Sequence, residues 1–424
     1  SAQQAEVFLT SFEETPVIFE ANRLKQLHTR QGILVALRIV REGRIGFSTT
    51  TRLDDSVSLV NRAIEVCQFG TPARFELPHQ LTYPQVEIYD PGIEALTIEQ
   101  MIDLGESLIA KVREHTPALL CEARITKGIV SVHILNSRGG EASYRRSFFG
   151  IGLEGNLIRD TDMLFVGDSD SSCHPIGDIA KVAGSVVNQL ELAKRQASVS
   201  SGHLPVIFTP RGVASAFIAP LALAFNGRVV WQGASPLGGK RETKVFDERL
   251  SLWDDATVTY HPRSRPCDDE GVPSQSTPLI EHGVVKGFLY DLQTAGLAGV
   301  QSTGSGDRGR GGLPAPSISN LTFKTGAVSF EDMVADLKEG LVVEQLMGAE
   351  QTNVLGGEFS GNVLLGFKVE KGEIVGRVKD TVVSGNIYQV LSKLIEIGRE
   401  ARWVEGAIFT PDFCCSNLTI ASKS

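Results

Sequence analysis

The sequence is poor in the features that mark secreted and membrane-spanning proteins. Its 424 residues include six cysteines, which are scattered and form neither a C-x-x-C pair nor a dense disulfide framework. No run of about 18 uninterrupted apolar residues occurs, so a transmembrane helix is not expected. The N-terminal segment has no basic region followed by a long apolar one, so it does not resemble a signal peptide. Together these features predict a protein of the reducing cytoplasm.

An excess of positive charge is missing as well. Lys and Arg number 41 against 50 Asp and Glu, which gives a formal net charge of -9. A general nucleic-acid-binding protein needs a basic face that neutralises phosphates, so nucleic acid is not an expected partner. Hydrophobic residues make up 42% of the chain and charged residues 21%. This balance is typical of an ordinary folded protein with a sizeable core.

The sequence lacks a local metal-binding motif. A zinc hydrolase needs three well-placed ligands, and its usual helical motif places two histidines about one turn apart. No two of the eight histidines have that spacing. The best local grouping joins His261 and Cys267 to three consecutive acids, Asp268, Asp269 and Glu270. A solvated acidic loop between strands is the favoured interpretation of this grouping.

Other reactive residue types also lack their usual motifs. There is no G-x-S-x-G nucleophile elbow, and the glycine-rich stretch 302–312 does not match the phosphate-loop pattern. We favour a flexible loop for this stretch over an anion-binding site. Cys173 and His174 lie in a predicted loop and form an equally weak metal candidate. Cys414 and Cys415 lie in an apolar strand, where alternation places them on opposite faces and favours core packing for one of them.

Hydrophobic periodicity predicts both strands and long helices in the first 202 residues. Alternating and β-branched residues predict strands within residues 16–50 and 122–159. A capping box from Thr97 to Gln100 opens the longest helix. The predicted helices cover residues 54–70, 97–115 and 178–196. We therefore predict an α+β fold whose N-terminal domain, residues 1–202, is a layered α/β-type unit.

Residues 203–424 are predicted to form a second, mainly antiparallel β domain with a few helices. A helix should begin at Thr209, which is followed by proline, and Pro220 should kink it. Two further helices are predicted near residues 329–347 and 385–400. The remainder consists of short strands and turns.

Four segments, in consistent order, resemble the PmbA/TldD family. They are REGRIGFSTT at 41–50, the block from CDDEG at 267 to Ser-Thr-Gly at 302–304, GLVVEQLMG at 340–348, and GEFSGNVLLGFKVEKGEIVGRVKD from 357. The resemblance extends from about residue 16 to the C-terminus. Members of this family were first named modulators of DNA gyrase and are now regarded as metalloproteases.

The resemblance distinguishes two branches of that family. The TldD-like branch carries His-Glu-x-x-x-His on a helix before the acidic block, and a further cysteine ligand near its C-terminus. Here that motif falls on AFIAPL, with Ala216, Phe217 and Leu221 at the three functional positions. These side chains cannot bind zinc or act as a general base. The chain therefore resembles the metal-free branch, PmbA or TldE, and the resemblance implies no catalytic residue, no metal ligand and no cofactor in this chain.

The resemblance also implies a function and partners. It implies a catalytically silent subunit of a heterodimeric metalloprotease that trims leader peptides and degrades unfolded peptides in the cytoplasm. The zinc is expected in a TldD-like catalytic partner, and the isolated chain is expected to be able to form a homodimer. The family blocks place five residues near the substrate groove or its scaffold: Asp269, Glu270, Gly271, Thr303 and Gly304.

Whether the chain is itself an enzyme stays open, with two alternatives to the silent subunit. The first is a self-sufficient peptidase that uses His261, Cys267 and the neighbouring acids. The second is a non-enzymatic regulatory protein, as the gyrase-modulator name implies.

Overall fold

The first half of the chain forms one antiparallel sheet. The structure, a computed structural model, describes residues 2–159, 162–309 and 311–422. The strands are β1 (Gln4–Glu20), β2 (Arg23–Leu27), β3 (Arg30–Arg41), β4 (Arg44–Thr50), β5 (Leu120–Asn136), β6 (Glu141–Arg159) and β7 (Asp162–Ser172). They lie in the order β4-β3-β1-β5-β6-β7, with β2 beside β1. The predicted β3–β4 hairpin is confirmed, and its turn places Glu42 and Gly43 at positive φ, as a type I′ turn requires.

Four helices cover this sheet in its described part, and three of them, all except α2, lie where the sequence predicts a helix. They are α1 (Ser56–Cys67), α2 (Gly92–Ala95), α3 (Ile98–His115) and α4 (Ala180–Leu192). The capping box of α3 is confirmed, because the Thr97 side chain accepts from Gln100 N and the Gln100 side chain accepts from Thr97 N. One strand is longer than expected: β1 begins at Gln4, well before the predicted start at residue 16.

The second half contains an eleven-stranded sheet, part of which closes on itself. The strands of this half are β8 (Gly202–Phe208), β9 (Leu252–Asp255), β10 (Ser276–Glu281), β11 (Val284–Val285), β12 (Gly306–Asp307), β13 (Ala315–Pro316), β14 (Leu321–Phe323), β15 (Glu339–Met347), β16 (Glu358–Glu370), β17 (Glu373–Arg377), β18 (Thr381–Asn386), β19 (Leu394–Val404) and β20 (Ile408–Ser422). Strand β8 pairs with both β15 and β20, so β8, β15, β16, β18 and β20 form a closed ring. Strands β12 and β13 form a separate two-stranded ribbon.

One helix of the second half packs against several strands of that ring. The helices are α5 (Pro210–Ala224), α6 (Gly227–Trp231), α7 (Leu292–Ala298), α8 (Phe330–Ala335) and α9 (Ile387–Leu391). Helix α5 begins at the predicted cap, Thr209, whose hydroxyl accepts from Gly212 N. Its residue Phe217 contacts aromatic rings on three ring strands, β8, β16 and β20. The ring therefore encloses an apolar core to which α5 contributes.

The opposite faces of the ring strands belong to a second core. Phe208 and Cys415 pack with α5, whereas their chain neighbours Ile207 and Cys414 pack in the cluster that includes α3 and α4. The predicted placement of Cys414 and Cys415 on opposite faces is thereby confirmed. Among the described residues, no helix combines the length and apolarity needed to cross a bilayer.

Two predicted helices are wrong, although the α+β fold class is confirmed. Residues 329–347 contain only the short α8 followed by β15, and residues 385–400 contain α9 followed by β19. Strand β15 is buried on both faces, so its apolar run Leu341–Val343 shows no alternation. Such a run resembles a buried helix when periodicity is the only criterion.

Candidate functional site

A cleft separates one face of the N-terminal sheet from loops of the second half. It contains a cavity of about 500 Å³. The sheet contributes mainly apolar side chains to its floor, among them Phe8, Leu34, Val130 and Val132. The opposite wall comes from Arg263, Arg265 and Asp269 and from residues 307–309 and 317–319. This cleft is where the sequence-predicted groove residues meet the first half of the chain.

Asp268 organises the acidic block instead of facing the cavity. Its Oδ1 accepts from the backbone N–H groups of Glu270 and Val272, each at 2.9 Å, and its Oδ2 accepts from Gly306 N at 2.8 Å. Burial raises the pKa of Asp268 to about 6, against the opposing effect of Arg265. The carboxylate therefore fixes the turn of its own block and joins it to the glycine-rich stretch.

Glu270 and Arg38 form a buried ion pair that crosses the cleft. Arg38 of β3 donates to Glu270 Oε1 at 2.6 Å and to Glu6 Oε2 at 2.8 Å, and all three side chains are almost fully buried. The other oxygen of Glu270 accepts from Leu292 N at 2.7 Å. Burial raises the pKa of Glu270, and Arg38 opposes that shift. Both oxygens of Glu270 accept hydrogen bonds from N–H donors, as an ionised carboxylate paired with Arg38 would.

Asp269 is the member of the acidic block that reaches the cavity. Its Oδ1 accepts from Arg265 at 3.1 Å, and its Oδ2 accepts from the backbone N–H of Arg308 at 2.8 Å. The side chain of Arg308 continues the network by pairing with Glu6 on β1. The acidic block is therefore bound to two strands of the N-terminal sheet through charge-assisted hydrogen bonds.

The glycine-rich stretch is ordered by the same network. Gly304 has φ +69°, and a Cβ added there would lie 2.5 Å from the carbonyl oxygen of Pro273. Thr303 Oγ1 accepts from Tyr290 N at 2.8 Å. The favoured interpretation of 302–312 as a flexible loop is wrong for its described part up to residue 309, because the acids of the CDDEG block bind its backbone N–H groups. Residue 310 lies outside the described residues.

The five predicted groove residues therefore have different positions. Asp269 lines the cavity, whereas Glu270 and Thr303 bond inward to backbone groups. Gly271 adopts φ +74°, and its carbonyl oxygen accepts from Tyr83 at 3.2 Å. Gly304 supports the turn at Pro273. Their contribution to a substrate groove stays a prediction.

The slot for the metal-binding motif on α5 is filled by packed apolar side chains. Ala216, Phe217 and Leu221 are all buried. The Phe217 ring centroid lies 4.8 Å from that of Phe208 and 5.8 Å from that of Phe359. None of the three slot residues offers a lone pair to zinc, and the aromatic cluster fills the space around the middle one. The residues present do not fit a zinc ion.

The alternative grouping around His261 does not come together as a metal or nucleophile site. The His261 ring stacks on Trp403, with ring centroids 3.5 Å apart, and burial lowers its pKa. Cys267 is buried among apolar side chains of the sheet, and burial raises its pKa to about 12. Such a thiol is protonated near neutral pH and is a poor nucleophile or ligand. Across the described ranges, no group of three His, Cys, Asp or Glu residues is arranged to hold a metal ion.

The second weak metal candidate has structural contacts as well. His174 Nδ1 lies 2.5 Å from Asp90 Oδ2, and its ring packs on Tyr260 with a centroid distance of 3.7 Å. The adjacent Cys173 is buried, and burial raises the pKa of its thiol to about 11. These contacts attach the loop after β7 to the segment before α2.

A further buried acid lies in the strands next to the cleft. Asp254 of β9 accepts from Ser319 N at 2.7 Å and from Ser319 Oγ at 2.9 Å. Burial raises the pKa of Asp254 to about 7. Burial favours the protonated acid, whereas the two Ser319 donors favour the carboxylate, and burial has the larger effect.

Sequence reasoning missed the cationic half of the cleft. Arg38 and Glu6 lie in strands that otherwise read as ordinary alternating segments, and Arg265 and Arg308 lie in loops. One signal was present for Arg38, which is the only charged residue in the run from Gly32 to Val40. A charged residue inside such a run is buried only with a partner, so it indicates an ion pair without identifying the partner.

Comparison with known proteins places these features in a family. The family model described as PmbA/TldA metallopeptidase C-terminal domain matches residues 201–422, and the one described as PmbA/TldA metallopeptidase domain 1 matches residues 5–67. An uncharacterized protein of Methanocaldococcus jannaschii is 24% identical over 400 residues, which cover 93% of this chain and 91% of that protein.

The chain is similar to a protein named for TldD and to a solved structure named TldE. A Haemophilus influenzae protein named metalloprotease TldD homolog is 28% identical over 221 residues, and the match covers 51% of this chain and 46% of that protein. The chain thus matches about half the length of this relative. The crystal structure of TldE from Thermococcus kodakarensis superposes with a TM-score of 0.91 at 23% identity and covers 99% of this chain and 97% of that one. This likeness shows a shared fold along the whole chain.

Proposed function

The chain belongs to the PmbA/TldD metallopeptidase family, and we propose that it is the metal-free subunit of a TldD/TldE-type heterodimeric metalloprotease. The observation that carries this proposal is the motif slot on α5. Ala216, Phe217 and Leu221 occupy it as buried core, and the middle residue packs among three aromatic rings. A TldD-like partner in the cytoplasm would supply the zinc and the reacting groups.

In this proposal the chain binds peptide and shapes the chamber around the partner's site. The cleft has a sheet for its floor and a cavity of about 500 Å³. The buried network of Arg38, Glu6 and Glu270 joins the sheet to the loops of the opposite wall. A cleft of this kind suits unfolded or leader peptides, which are extended and expose their backbone.

An exposed apolar face on α1 supports a partner-binding role. Val57 is 74% exposed, and Val60, one turn further along the helix, is 44% exposed. Phe69, just beyond the helix, is 88% exposed. Apolar side chains exposed in this way often mark protein–protein contacts. We propose this face as part of the contact with the TldD-like subunit, or with a second copy when the chain is alone.

The self-sufficient peptidase finds no support in these contacts. His261 is stacked on Trp403, and Cys267 is buried with a thiol pKa of about 12. Neither residue is placed to activate water beside the acids. No described surface feature favours a particular contact for the gyrase-modulator alternative.

Mixing the chain with a TldD-like protein from the same source tests the proposed function. Zinc is measured by elemental analysis, and cleavage of an unstructured peptide is followed for each protein alone and for the mixture. We expect no stoichiometric zinc and no cleavage for this chain alone, and about one zinc per pair with increased cleavage after mixing. Stoichiometric zinc together with cleavage by the isolated chain would overturn the proposal.

A further inference from the structure

We propose that the cleft cavity binds a peptide carboxylate through Arg146 and Arg263. The inference rests on the proposed function, since it assigns a substrate feature to the same cleft. The two arginines line the cavity from opposite sides, Arg146 from strand β6 of the sheet and Arg263 from the loop after β9.

Neither arginine has an anionic partner within the described residues. The described side-chain hydrogen bonds and ion pairs include none made by Arg146 or Arg263, whereas most other arginines near the cleft are paired. Arg146 is half-buried and Arg263 is exposed. The Nε atom of Arg146 is buried without a hydrogen-bond partner, as are those of Arg38 and Arg265, but Arg146 differs from these two in having no ion pair among the described residues. A buried, unpartnered guanidinium nitrogen carries a desolvation cost that a bound anion would remove.

The acids that line the cavity are already engaged elsewhere. Asp269 uses one oxygen for Arg265 and the other for the backbone N–H of Arg308. Asp307 accepts from Gly309 N at 2.7 Å and lies 3.8 Å from Arg265. The positive charges of Arg146 and Arg263 are therefore not cancelled by the carboxylates that share the cavity.

The chemistry of the cavity favours a carboxylate attached to an extended peptide. A guanidinium presents a planar fork of N–H donors that matches the two oxygens of a carboxylate. The floor beside Arg146 is apolar. On strand β5, Val130 lies directly opposite Arg146 and Val132 lies directly opposite Tyr144. Apolar side chains of a bound peptide can cover this floor while its carboxylate reaches the arginines. The carboxylate can belong to an acidic side chain or to the peptide C-terminus.

Binding of short peptides to the isolated full chain tests this inference. The probes are unstructured pentapeptides with blocked N-termini in three forms: a free C-terminal carboxylate, a C-terminal amide, and an amide that carries one internal glutamate. Isothermal titration measures the affinity of each. We expect one or both carboxylate peptides to bind at least about tenfold more tightly than the neutral amide. Which carboxylate peptide binds identifies the source of the group.

Matched variants show whether the two arginines cause that preference. Arg146→Gln and Arg263→Gln should each weaken carboxylate binding about tenfold, and Arg146→Lys should weaken it less because it keeps the charge. Arg145→Gln is the control. Arg145 is adjacent to Arg146 on the strand, but it lies on the other face of the sheet, where it pairs with Glu94. Circular dichroism confirms that each variant is folded before titration.

The outcomes separate this inference from the proposed function. Equal binding of amide and carboxylate peptides, no binding of either carboxylate peptide, or equal losses in Arg145→Gln and Arg146→Gln would overturn the carboxylate site. None of these measurements depends on zinc or on the partner. Failure of the mixing experiment together with selective carboxylate binding would instead refute the heterodimer and keep the site.

Discussion

Replacing Phe217 with alanine tests whether the motif slot on α5 is packed core. The ring is fully buried, and its centroid lies 4.8, 5.8 and 6.3 Å from those of Phe208, Phe359 and Phe413. Buried Phe→Ala changes cost about 3–5 kcal/mol of unfolding free energy. We expect the change here to cost about 4 kcal/mol, since three ring contacts are lost and the surrounding strands belong to a closed ring that cannot easily collapse.

A conservative variant separates stability from function at the same position. Phe217→Leu keeps most of the apolar volume, so its expected cost is about 1–2 kcal/mol. Because the side chain touches core residues and no reacting group, the leucine variant should bind a TldD-like partner and support peptide cleavage as well as the native chain does. Urea unfolding followed by circular dichroism gives the stabilities, and the mixing assay gives the activity.

Two results would refute this reasoning. If Phe217→Ala were as stable as the native chain, the slot residues would not belong to a tightly packed core. If Phe217→Leu kept its stability but abolished cleavage by the pair, the residue would act in the reaction, and the assignment of a silent subunit would be wrong.

Three further predictions concern the cleft, a buried acid and the exposed face. Arg38→Met removes the partner of Glu270 and should cost about 3–5 kcal/mol in urea unfolding, whereas a cost below about 1 kcal/mol would show that the buried pair is not structural. Burial raises the pKa of folded Asp254 to about 7, whereas in the unfolded chain its pKa is about 4. Unfolding free energy should therefore fall across that interval, and Asp254→Asn, compared with Asp255→Asn, should flatten the fall in urea midpoints measured at several pH values. Val57→Asp should weaken association with a TldD-like partner at least about tenfold in sedimentation or titration, with unchanged stability of the isolated chain.

Local signals in the sequence predicted local structure well. The β3–β4 turn and the capping box of α3 depend on neighbouring residues, and both appear as expected. The strand β15 was mistaken for a helix because its burial depends partly on strand β8, which lies far earlier in the sequence. A short apolar run has no periodicity that would reveal such neighbours.

The candidate site was predictable only on its acidic side. The acidic block was expected to be a solvated loop, but Asp268 and Glu270 are fully buried. The partner of Glu270, Arg38, lies 232 residues earlier in the chain. No spacing rule connects residues at that distance. The network could be recognised only after the N-terminal sheet was placed against the loops of the second half.

The same network explains why the acidic block can persist in a chain whose motif slot is apolar. Asp268 fixes the turn, Glu270 pairs with Arg38, and Asp269 binds Arg265 and the backbone of Arg308. The Glu270–Arg38 pair, and the Arg308–Glu6 pair that Asp269 supports, join the loops of the second half to the N-terminal sheet. This structural role of the acidic block does not depend on which residues occupy the α5 slot.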